Sequence, residues 1–139
     1  MPVKTVKHLM LPLLLLLGIP GSIAPGRTPA LPIVNRVDVE CRQGAVYQQR
    51  HYSSDEKISW VLNYLRMQKN LGKPEEDPER AAGDMYTVFV SMADGQKLVC
   101  RQRADRYFCR SDQIWQKIDP DWGSSFYYLL QTLPSDPEP

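Results

Sequence analysis

Apolar and polar positions begin to alternate near residue 37. Val37, Val39 and Cys41 interleave with Asp38, Glu40 and Arg42, the two-residue period of a half-buried strand. Gln43-Gly44 supplies a turn, and Ala45 to Tyr52 reads as the returning strand. The period then becomes helical. Ile58, Val61, Leu62 and Leu65 share one stripe, Ser53 with Glu56 offers a capping box, and Gly72 and Pro74 mark the stop.

Lys73 to Asp84 (KPEEDPERAAGD) is polar and interrupted by proline, which predicts a loop. Tyr86 to Met92 alternates, Asp94-Gly95 signals a two-residue type I′ turn, and Lys97 to Arg103 pairs back. A second two-residue turn at Ala104-Asp105 launches Arg106 to Arg110, followed by a short strand from Ile114 to Ile118. Asp119 is placed to cap a last helix with Pro120 at its first position. Trp122, Phe126, Leu129, Leu130 and Leu133 form its stripe, and Gly123 weakens its first turn by up to ~1 kcal/mol relative to Ala.

Residues 41–65 laid over 109–133 without a gap align Cys41 with Cys109, Arg42 with Arg110, Ile58 with Phe126 and Leu62 with Leu130. The expected fold is therefore α+β and two-layered, an antiparallel meander sheet of about five or six strands with two helices on one face. It is built from a duplicated ββα unit. The units span 36–70 and 105–133, separated by the acidic loop 73–84 and an extra hairpin at 85–103, all within one domain at 35–135. Residues 136–139 read as a disordered tail.

The segment before this domain changes the compartment. Lys4 and Lys7 precede an apolar run from Leu9 to Ile19, the layout of a secretory signal. The run is too short for a spanning helix, which needs roughly 20 residues. Residues 1–24 are read as a signal peptide and 25–34 as a proline-rich linker. Ser22-Ile23-Ala24 has small residues at the cleavage spacing, although Pro25 disfavours a cut there, and Gly21 and Ala30 are alternatives. The protein is expected to be secreted or extracytoplasmic, with an uncleaved N-terminal anchor as the lesser alternative. It would then meet the membrane only transiently, through the signal.

The 139 residues carry 17 Lys+Arg against 16 Asp+Glu, a balance that excludes a dedicated basic nucleic-acid binder. Losing the leader removes Lys4 and Lys7 and leaves one more acid than base. One domain of this length also excludes the large two-domain and barrel enzymes.

Three cysteines follow the leader. With a two-residue turn at Ala104-Asp105, Cys100 faces Cys109 as a non-hydrogen-bonded pair about 4.5 Å apart, within reach of a disulfide. An exported chain meets oxidising conditions, so a Cys100–Cys109 bridge is expected, with Cys41 to either as the alternative. Three scattered cysteines and one histidine are a poor zinc set, and no metal or cofactor is expected. His51 reads as a partly exposed surface residue. Asp119 and Asp121 are explained by helix capping, and Glu75, Glu76, Asp77 and Glu79 by a solvated loop. No hydrolase elbow, phosphate loop or zinc-protease motif is present in the sequence, so no catalytic residue is assigned.

The segment 97–110 (KLVCRQRADRYFCR) sets five bases against Asp105. On the same register, Arg101, Arg103, Arg106 and Arg110 point to one sheet face with Phe108, while Cys100 and Cys109 point to the core. Such a face suits carboxylates or phosphates. Compensation by the acidic loop is the competing reading, as is protection of an edge strand against aggregation.

Ile58 onward carries VLNYLR, PEEDPE, GDMYTVFVSMADGQ, RYF, IWQKIDP and LLQTLPSD. This YLR…DPE…GD.Y…DG…RYF…W..I.P layout resembles a loose group of short, uncharacterised exported bacterial proteins. The resemblance implies a small, extracytoplasmic, non-catalytic bacterial domain.

The expected function is a non-catalytic binding module of the bacterial envelope or extracellular space. Its partner would be a protein or an anionic envelope component engaged by the arginine face. The alternative is a proteinaceous inhibitor of an extracellular enzyme, presenting Lys73–Asp84 or the Asp94-Gly95 tip. A third, an envelope hydrolase, needs Cys41, His51 and an acid to converge.

Overall fold

A computed structural model describes residues 33–111 and 114–138. The leader, the linker up to residue 32 and Pro139 lie outside the described residues. Chain order is β1 (Val34–Gln43), β2 (Val46–Tyr52), α1 (Asp55–Arg66), β3 (Met85–Met92), β4 (Lys97–Arg103), β5 (Tyr107–Arg110), β6 (Gln116–Lys117) and α2 (Pro120–Thr132). The strands form one sheet in the order β2-β1-β3-β4-β5-β6, antiparallel at every junction. This is the expected α+β class. From β3 to β6 the chain meanders, whereas the connection through α1 returns past β2 to lay β3 beside β1.

Alternation decides which face is buried. Val37, Val39 and Cys41 of β1 meet Val90, Val88 and Tyr86 of β3, and β4 continues the layer with Leu98 and Cys100. Ile58, Val61, Leu62 and Leu65 of α1 and Phe126 and Leu130 of α2 close over them in a single core. Tyr64 joins the two helices, its ring stacked at 4.4 Å on Phe126 and 5.6 Å from Trp122. Below it, the buried Gln102 accepts from the Tyr64 hydroxyl and donates to the carbonyls of Ala104 and Gly123 at 2.7 and 3.0 Å.

Turn lengths differ from expectation, and the difference moves side chains. The Met92 N–H bonds to the Gln96 carbonyl at 2.9 Å and Arg103 faces Tyr107, so both hairpins have three-residue loops. In each, an N–H bonds back three residues, Gly95 to Met92 and Arg106 to Arg103. Only one residue of each loop has positive φ, Gly95 at 92° and Ala104 at 52°, where a type I′ turn requires two. At β4–β5 the added residue shifts the register by one and reverses the outlook of β5.

Other boundaries shift as well. The first helix ends at Arg66, before Gly72, and its capping box does not form: N-cap Ser54 makes no side-chain cap bond. Asp119 does cap α2, accepting from the Asp121 N–H, with Pro120 in the first turn. The strand expected over 114–118 is reduced to Gln116–Lys117. The duplicated ββα unit does not carry through the strands. Ile58 and Phe126 share one core, but Cys41 lies on the core face while Cys109 sits beside Arg101 on the other.

Candidate functional site

The outer sheet face divides into two halves. Over β4–β6 lies the acidic segment 73–84, and it meets the arginines directly. Glu79 receives both guanidinium nitrogens of Arg101, Nη2 at 2.8 Å from Oε2. Glu76 pairs with Arg106 at 2.9 Å and Glu75 with Lys117 at 2.9 Å. Arg103 donates to three main-chain carbonyls, Pro78, Gly83 and Glu79, at 2.8–2.9 Å. Arg101 holds the Glu79 carboxyl below its ordinary range, and Lys117 does the same for Glu75.

The expected binding face is therefore corrected on two counts. Arg101, Arg103 and Arg106 are on the outer face but engaged by the chain's own loop. Arg110 stands opposite Cys100 and Phe108 opposite Gln102, on the core face, with the Arg110 guanidinium 5.9 Å from the Phe108 ring centroid. The cause is the extra residue in the Ala104–Arg106 loop.

The same shift removes the Cys100–Cys109 bridge. Cys100 faces Arg110 and Cys109 faces Arg101, so the two thiols leave opposite faces of the sheet, and no disulfide joins them. Cys41 is likewise outside any disulfide, and burial pushes its thiol up to about 11 and that of Cys100 up to about 12. The pairing of Cys41 with His51 also fails, because Cys41 faces the core and His51 stands opposite Asp38 on the outer face.

Around His51, over β1 and β2, the outer face carries a cavity of about 380 Å³. Arg36, Asp38 and Glu40 of β1, His51 of β2, and Ser135 and Glu138 after α2 contribute to its wall. Here the segment expected to be a disordered tail is built into the fold. Asp136 N–H donates to the His51 carbonyl at 2.7 Å, and Ser135 Oγ accepts from the His51 N–H at 2.8 Å. The Asp136 carboxylate accepts from the N–H groups of Ser53 and Ser54 and from Lys57 Nζ, and so fastens the two residues that lead into α1. Lys57 and the Ser54 N–H hold the Asp136 carboxyl far below the usual aspartate range. Glu138 reaches Arg36 at 3.2 Å.

Covered by this segment, His51 is 95% buried rather than exposed at the surface. Its Nδ1 meets Asp38 Oδ1 at 3.3 Å, longer than a normal N–H···O bond. Its Nε2 is buried with no hydrogen-bond partner among the described residues. The second Asp38 oxygen accepts from Arg36 Nε at 2.8 Å, and this contact raises the Arg36 pKa. A carboxylate beside an imidazole orients the ring, as in a catalytic base, but the neighbouring Ser135 hydroxyl is engaged with the His51 backbone.

Hairpin arithmetic was the signal for part of this cluster. With Gly44-Ala45 as the loop, Asp38 falls opposite His51; a turn placed one residue earlier hides the pair. Nothing local marks Glu138. Comparison with protein families, with curated proteins and with solved structures finds no match to this chain.

Proposed function

We propose that the chain is an exported, non-catalytic binding module of the bacterial envelope or extracellular space. Its contact site is the polar cavity bounded by β1, β2 and residues 135–138. The observation that carries this reading is His51, buried at a polar cavity wall with a ring nitrogen uncommitted. Buried polar atoms are nearly always paired, so an exception invites a ligand. The basic, apolar leader and the resemblance to exported bacterial proteins support the location. An anionic partner at the arginine face is not favoured, because the loop already supplies that face with carboxylates and carbonyls.

Retention of the purified protein on envelope material tests the reading. His51→Ala should abolish retention and Arg101→Ala should leave it intact. Retention indifferent to His51→Ala but lost with Arg101→Ala would return the function to the arginine face.

A second reading, an inhibitor presenting Lys73–Asp84, is favoured by one observation. The segment is fastened by Arg101, Arg103, Arg106 and Lys117, and a loop ordered before binding loses less entropy on docking. Inhibition of an extracellular hydrolase that survives His51→Ala and fails when 75–80 is replaced would select it.

A further inference from the structure

We propose that the cavity at the C-terminal segment binds a divalent transition-metal ion of the zinc class. The ligands are a ring nitrogen of His51 and one carboxylate oxygen each of Asp38 and Glu138. The inference deepens the proposed binding function and rests on the same cavity being its contact site.

The three ligand atoms lie within 4.8 Å of one another. Zinc bonds nitrogen and oxygen at about 2.0–2.2 Å, which sets tetrahedral ligands roughly 3.4 Å apart. Asp38 Oδ1 and His51 Nδ1 already match that edge at 3.3 Å, fixed by the β1–β2 register. Only Glu138 has to close in. Its side chain is 63% exposed and lies beyond the last helix, where movement is cheap.

Arg36 decides whether a cation is tolerated. Its Nε binds Asp38 Oδ2, leaving Oδ1 to face the imidazole. Arg36 can therefore stay in place and orient the ligand carboxylate from outside, as outer-shell partners of metal sites do. The contact that has to yield is Arg36 with Glu138, an exposed pair at 3.2 Å of a kind that contributes little. One imidazole with two carboxylates selects zinc, cobalt or nickel over calcium and magnesium, which prefer all-oxygen sets. Three protein ligands leave a fourth position open to a donor from the partner.

Equilibrium dialysis and calorimetry of the metal-stripped full chain against zinc chloride provide the test, with cobalt(II) absorption reporting tetrahedral geometry. One ion per chain is expected, weakened by roughly 10–100-fold or more in Glu138→Gln, by analogy with lost metal-site contacts. Glu138 is exposed, so this variant does not depend on surviving a folding defect. His51→Ala and Asp38→Asn should also lose the ion, and calcium should not compete. No stoichiometric zinc binding at micromolar metal, or binding unchanged in Glu138→Gln and His51→Ala, overturns the site. Retention on envelope material separates the two proposals. Retention that persists without zinc binding removes the metal and keeps the module; zinc bound one-to-one without retention keeps the metal and removes the module.

Discussion

A Cβ built on Gly123 would lie 2.4 Å from the main-chain oxygen of Asp105. The first turn of α2 thus rests directly on the β4–β5 loop, and the Gly123 carbonyl accepts from buried Gln102 at 3.0 Å. Helix propensity alone makes Gly123→Ala stabilising by up to ~1 kcal/mol. The contact reverses the sign, because the obstacle is backbone and cannot rotate away. Urea unfolding of Gly123→Ala should show a loss of about 1–3 kcal/mol, the usual cost of overpacking.

Asp136 should contribute to stability in a pH-dependent way. Its pKa in the folded chain is depressed, by Lys57 first and then by the Ser54 N–H. A depressed carboxyl stabilises fully above its unfolded value, about 3.9, and the contribution fades as pH falls through the folded value. Asp136→Asn should cost about 1 kcal/mol or somewhat more near neutrality, comparable to loss of a helix cap. The gap from the parent should stay level down to about pH 5 and narrow below about pH 4. Denaturant midpoints across that range measure it.

Thiol counting distinguishes the two registers of β5. All three thiols are buried, and those of Cys41 and Cys100 are raised by desolvation. The native protein should react slowly with a disulfide reagent and the denatured protein should release three equivalents, with no mass change on reduction. A two-dalton gain on reduction would restore the Cys100–Cys109 bridge and the two-residue turn.

Arg103 and Arg101 should differ despite similar placement. Arg101→Ala removes a half-exposed ion pair with Glu79 and should change stability by less than about 1 kcal/mol. Arg103→Ala removes three bonds to loop carbonyls and should cost about 1–3 kcal/mol. Trypsin provides a second readout. Arg80 is 90% exposed in its side chain, and cleavage after it should accelerate in Arg103→Ala as the loop loosens.

Fold class was legible because the two periodicities were. The stripes Ile58–Val61–Leu62–Leu65 and Phe126–Leu130 are buried as read, and the alternation of β1 and β3 sets the core face. What failed was counting across tight turns. Asp94-Gly95 and Ala104-Asp105 each look like two-residue connections, but three-residue loops with a single left-handed residue, last in one (Gly95) and first in the other (Ala104), use similar composition. At β3–β4 the error is harmless, since the strand boundaries on either side were right. At β4–β5 it exchanges Phe108 and Arg110 with Tyr107 and Cys109 between faces, and with them the binding face and the disulfide.

The cavity was illegible for a different reason. Asp38 and Glu138 lie at opposite ends of the domain, and only the docking of 134–138 along β2 joins them. A short polar stretch rich in proline carries no periodicity, and its hydrogen bonds go to main-chain groups whose availability depends on where α1 begins. Ser53 and Glu56 mimic a local capping box, while the N–H groups of Ser53 and Ser54 are taken by Asp136 from the far end of the domain.

Because Ser135 and Asp136 hydrogen-bond to β2 at His51, the stretch that follows α2 is also the one that finishes the first hairpin. A product of premature termination after Leu133 would keep both helices and all six strands yet leave the His51 peptide groups bare at the sheet's rim. Bare peptide groups on a rim strand recruit other chains, so early stop codons here should yield aggregation rather than simple loss of a tail.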